Sequence, residues 1–145
     1  MKLFETIQKN NYNLLIDSSL SYDETKKNTI RRFIAFCIKE LSLSGNVTIK
    51  LVDDRKSNKI MTTAFYRHSD QTAMIYAKNR MLVDIMRSLA HELVHMQQWE
   101  QDLITLPVPD IGGSIEDGAN AMAGVIIKKF LKYDSEGDKL IEGVI

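Results

Sequence analysis

Both prolines of this 145-residue chain, Pro107 and Pro109, stand two positions apart, and Gly112-Gly113 follows at once. Proline cannot continue a helix, and adjacent glycines favour a turn, so the segment 105–113 reads as a break. Helical periodicity flanks it on both sides. Over 81–99, Leu82, Ile85, Met86, Leu89, Leu93 and Met96 recur at three- and four-residue intervals, the stripe of a core-facing helix. A second helical pattern runs from Ser114 to about Tyr133. Two helices separated only by this break have to turn back on each other, which brings side chains on their facing surfaces together.

The first of these helices carries His91-Glu92-Leu93-Val94-His95. Residues four apart on a helix lie one above the other, so the two imidazoles can converge on a single cation while Glu92 flanks it. At about 100° per residue the histidines fall opposite the apolar stripe, on the side of Asp84, Ser88 and Gln98. Val83, Ala90 and Val94 form a second apolar edge, which implies a helix covered on more than one side and a histidine face looking into a cleft. Two histidines and a glutamate at this spacing point to a zinc hydrolase site. Zinc lowers the pKa of its bound water towards about 7, and the glutamate takes that water's proton. His91 and His95 are thus candidate metal ligands and Glu92 the candidate general base. An amphipathic helix with two exposed histidines is the plain alternative.

A catalytic zinc normally takes three protein ligands and keeps a fourth position for water. Glu116, in the first turn of the second helix, is the candidate third ligand, since one loop and an antiparallel return carry it back to the histidines. Ser114 and Asp117 resemble a capping box at that helix start. The run Gly118 to Gly124 is mostly small side chains, which allows close approach of the two backbones. An acid favoured by the helix dipole is the alternative account of Glu116.

His-Glu-Leu-x-His followed by a Glu on a later helix resembles the gluzincin pattern, in which that Glu completes a His, His, Glu zinc site. Glu116-Asp117-Gly118-Ala119-Asn120-Ala121-Met122-Ala123 is similar to the E-x-x-A-N-x-F-A signature of the ImmA/IrrE-like metallopeptidases, with Met122 where that family prefers Phe. His95-Met96-Gln97-Gln98 is similar to the His-x-x-Gln ending of SprT-like zinc-protease helices, and small phage zincins combine these features. The resemblance covers about residues 81–130. It implies His91, His95 and Glu116 as zinc ligands, Glu92 as base, and cleavage of a protein or peptide substrate. It sets Asn120 where thermolysin-like gluzincins carry an Asp, a place from which its amide oxygen would accept a ligand histidine's other ring N–H. Asp84 and Ser88 are weaker candidates for the same task.

Nineteen basic and nineteen acidic residues cancel, so bulk charge draws the chain neither to nucleic acid nor to an anionic membrane. No second Cys or His cluster supplies a zinc ribbon. Cys37, the only cysteine, excludes an intrachain disulfide and fits a core position in a reducing compartment. The start of the chain meets charge too early for a signal sequence, and no stretch approaches the roughly 20 apolar residues of a membrane span. The expectation is a cytoplasmic protein, in the host cytoplasm if phage-encoded, with no room for a separate inhibitory segment. Nothing in the sequence fixes an oligomeric state.

Along the rest of the chain, 3–16 reads as a short amphipathic helix and Ser21-Tyr22-Asp23-Glu24 as a capping box. Ile30, Phe33, Ile34, Cys37, Ile38 and Leu41 give a long helix over 29–43 that stops before Gly45, with Lys26, Lys27, Arg31 and Arg32 on a solvated face. Strands are expected at 47–52, 61–67 and 72–77, the last two joined by His68-Ser69-Asp70-Gln71, with a charged loop over 53–59 and a loosely attached tail over 134–145. The 72–77 strand should border the cleft and pair with an extended substrate, with Tyr66, His68 or Tyr76 as donors to a developing oxyanion. Trp99 and Met96 either line a pocket or pack in the core.

The expected architecture is a single α+β domain over 1–145, a minimal zincin-like fold. It has N-terminal helices, a small three-stranded twisted sheet, an HExxH helix and a C-terminal glutamate helix. The expected activity is that of a zinc-dependent metallopeptidase. The alternatives are a non-catalytic, zinc-stabilised protein-binding module and a zinc hydrolase of a non-peptide amide.

Overall fold

The computed structural model describes residues 3–8, 11–56, 58, 63–104 and 113–142. The fold is mixed α+β, with a five-stranded sheet in place of the expected three strands. The extra two come from the N-terminus, where a helix was expected over 3–16. Instead β1 (Phe4–Gln8) and β2 (Tyr12–Asp17) pair as an antiparallel hairpin with Phe4 opposite Asp17 and Gln8 opposite Asn13. Tyr12, Leu14 and Ile16 are buried while Asn13 and Leu15 are less so, the period of two that marks a strand.

After a single 3-10 turn at Ser18–Leu20, helix α1 (Glu24–Glu40) crosses back to β3 (Val47–Val52), which lies parallel to β2. Asp23 caps α1 by accepting from the Lys26 amide at 2.8 Å, whereas Ser21 closes the preceding turn in the left-handed region. The capping box expected from Ser21 is thus displaced by Asp23. The chain leaves the helix at Ser42 (φ 51°), with the Leu43 amide donating to the Ile38 carbonyl at 3.1 Å, so the helix ends before Gly45 as expected.

The hairpin of β4 (Ala64–Arg67) and β5 (Thr72–Tyr76) has the expected connection at 68–71; the first part of the expected 61–67 strand, residues 61–62, lies outside the described residues. β5 inserts parallel to β3, giving the order β1-β2-β3-β5-β4 with β1 and β4 at the edges. Helices α2 (Leu82–Glu100), α3 (Ser114–Tyr133) and α4 (Ser135–Glu142) complete the chain.

One core joins the helices to one sheet face. Leu14, Ile16, Ile49, Leu51 and Ile75 meet Phe33, Ile34 and Cys37 of α1 and Ile85, Leu89 and Leu93 of α2. Phe130 of α3 packs edge-on against Phe33 and Phe36, with centroids 5.1 and 5.6 Å apart. The other sheet face carries a small separate cluster around Val52 and Met74. Of the tail expected to be loose over 134–145, the described part, 134–142, is docked: Asp134 accepts from the Gly137 amide at 2.7 Å and from Arg32 of α1 at 2.6 and 3.0 Å. Among the described residues no helix is long and apolar enough to cross a membrane.

Candidate metal centre

α2 presents its apolar stripe to the core, with Ala90 and Val94 also buried on its second edge. The opposite side meets the start of α3, and there His91, His95 and Glu116 converge as the sequence predicts. His91 Nε2 and His95 Nε2 lie 3.0 Å apart; Glu116 Oε2 is 3.2 Å from the first and Glu116 Oε1 is 2.7 Å from the second. Zinc bound tetrahedrally at about 2.0–2.1 Å would separate its ligand atoms by about 3.3 Å, so an expansion of about 0.6 Å or less seats an ion between them.

The tautomers support the same reading. Gln98, a buried side chain, donates its amide N–H to the Ile115 carbonyl at 3.0 Å, which leaves its oxygen facing His95 Nδ1 at 2.7 Å. An oxygen there can only accept, so His95 carries its proton on Nδ1 and, in the neutral ring, turns the Nε2 lone pair towards Glu116. Asn120 hydrogen-bonds His91 in the sense that favours the charged ring. Burial, and then His95, hold the His91 imidazole below its ordinary pKa against the pull of Glu116 and Asn120, which favours the neutral, ligating form. Two lone pairs and a carboxylate aimed at one point form a donor set for a cation.

Glu92 is 7% exposed. Burial first, and the negative charge of Glu116 second, push its carboxyl up to about 8. The histidine side chains are 16% and 13% exposed and that of Glu116 is 35% exposed, so the centre opens to solvent on the Glu116 side.

No family model, curated protein or solved structure matches this chain.

The surroundings differ from expectation at several residues. Ser114 lies inside α3 and caps nothing; the N-cap is Gly113 at φ 83°, a left-handed backbone that suits glycine. The break expected over 105–113 lies outside the described residues except for Gly113. Within the small-residue run Ala119 and Ala123 are fully buried and a Cβ at Gly118 would lie 3.6 Å from Gln98 Nε2 of α2, whereas one at Gly124 would meet nothing within 4 Å. Asp84 and Ser88 do not support the histidines. Ser88 accepts from Arg80 at 2.9 Å and Asp84 from Arg87 at 2.9 Å.

β5 is paired on both sides, so the strand expected to receive substrate has no free edge; β4 holds that position. Tyr76 points to the sheet face away from the helices, beneath Arg55 at 5.1 Å, which removes it as an oxyanion donor. Tyr66 stays on the α2 side, but its hydroxyl is bonded to His68 Nδ1 at 2.7 Å. His68 in turn stacks on Trp99, with centroids 5.1 Å apart and planes 6° from parallel, one helical turn beyond His95. Met96 packs in the core. The residue whose role the sequence left open is Gln98: its spacing set it on the histidine face, but its partner, the Ile115 carbonyl, comes from another helix.

Proposed function

We propose that this chain is a zinc-dependent metallopeptidase. The observation that carries the reading is the convergence of three oriented donors, His91, His95 and Glu116, beside a buried acid that is not one of them. Two imidazoles with a single carboxylate favour zinc over harder cations, which prefer all-oxygen sites. Bound zinc would supply a Lewis acid that polarises a substrate carbonyl and acidifies water. Glu92 would receive the proton of the attacking water and pass it to the departing amine, a task suited to a group titrating near neutrality. His91 and His95, held by Asn120 and Gln98, would keep their lone pairs aimed while the charge around them changes.

A peptide substrate is favoured over a small amide by the position of β4. It is the outer strand on the side of the sheet that meets α2, where an extended peptide could add by backbone pairing.

The test is Glu92→Gln. It should bind zinc with unchanged stoichiometry and lose casein or peptide cleavage by about 10²–10⁴-fold. A wild-type protein that takes up no transition ion would overturn the metal centre. One that takes up zinc yet cleaves no peptide library would leave a zinc-stabilised binder or a hydrolase of another amide.

A further inference from the structure

Four cations were expected to solvate one side of α1. Three of them have partners: Lys27 pairs with Glu5 and Glu24, Arg32 with Asp134 and Glu136, and Lys26 lies over the Tyr22 ring at 4.1 Å. Arg31 does not. It is partly buried, has no carboxylate partner among the described residues, and lines a groove of about 880 Å³ between α1 and the start of β2. None of the metal-centre residues lines it.

We propose that this groove binds a small organic anion bearing a phosphate or carboxylate group. Its volume lies within the roughly 300–1,000 Å³ of small-molecule sites. Among the described residues no acidic side chain lines it, while Arg31 and Lys39 both do, eight residues or about 12 Å apart along the helix. Ala35 falls between them at i+4 from Arg31 and i−4 from Lys39, so a methyl group leaves open the space that a longer side chain would fill. Ile38 adds apolar surface, and Tyr12, whose phenol feels the Arg31 charge, forms the wall on the sheet side. Asn28, one turn before Arg31, adds an amide donor. A guanidinium held half out of water without a counter-ion favours an anion from solution, and its planar fork matches phosphate or carboxylate.

Isothermal titration and backbone-amide NMR of the full chain with inorganic phosphate, succinate and AMP test this. The expected result is amide shifts confined to 11–12 and 28–43, with the order of affinities telling phosphate from carboxylate as the recognised group. Arg31→Glu combined with Lys39→Glu should weaken binding at least about tenfold. Ala35→Trp, which keeps every charge but fills the floor, should do the same, and zinc uptake should be unchanged in both. The proposal is overturned if no probe shifts these amides at about 10 mM. Shifts spread over the whole surface, or binding that survives either variant, overturn it equally.

Discussion

Gln98 has the narrowest choice of role of any side chain around the metal centre. Its amide is fixed at both ends, by the Ile115 carbonyl and by His95 Nδ1, so it sets both a tautomer and a ring angle. Gln98→Leu keeps the volume and removes both bonds. Zinc affinity, measured by competition with a chromophoric chelator, should fall about 10–100-fold. Gln98→Glu retains an acceptor for the Nδ1–H and should recover part of that loss; equal loss in the two variants would mean that Gln98 acts only by packing. Asn120→Ala should cost less, because Asn120 is exposed and water can replace its amide.

At the scale of the element, the distance between α2 and α3 decides whether Glu116 reaches the histidines. Ala119 and Ala123 follow Glu116 at i+3 and i+7 on the same face of α3 and are fully buried, so a larger side chain at either has no room without displacing its neighbours. Ala123→Leu should destabilise the fold by about 1–3 kcal/mol and weaken zinc binding with it. Gly124→Ala should do the opposite: a Cβ there meets nothing within 4 Å, and the helix gains about 0.5–1 kcal/mol from the lost backbone entropy. Thermal unfolding followed by circular dichroism separates the two. The same distinction explains what could be read in advance. The His-Glu-His face and the turn carrying Glu116 were legible because a helix fixes i and i+4 locally. Which small residues are buried was not, since Ala123 and Gly124 differ only in the direction they face. The N-terminal hairpin is not legible in the sequence for a related reason: Leu3, Ile7 and Leu14 fit a helical stripe as well as Tyr12, Leu14 and Ile16 fit a strand. In five- and six-residue segments it is the partner strand, β3 here, that decides.

On the scale of the whole molecule, Asp134 ties the end of the chain to α1. The hydrogen bonds from Arg32 hold its carboxyl below the ordinary carboxylate range, with burial opposing. A depressed folded pKa gives stability that is fully present above the unfolded value near 4 and is lost as pH falls through the lowered one. Asp134→Asn should therefore lower the melting temperature at pH 7, and the gap from wild type should close near pH 2. Because the Arg32 side chain is 41% exposed, the clasp is worth about 1 kcal/mol at most.

The ligands of the centre are divided between two helices, His91 and His95 on one and Glu116 on the other. If zinc is bound there, it acts on the chain as a removable crosslink in a protein whose single cysteine forms no disulfide. At a thousandfold excess over its dissociation constant such an ion adds about 4 kcal/mol. Dialysis against a chelator should then lower the melting temperature by about 10 °C, reversibly, while Glu116→Ala, melting low from the outset, should barely respond. Metal supply would thereby govern how long the folded chain survives.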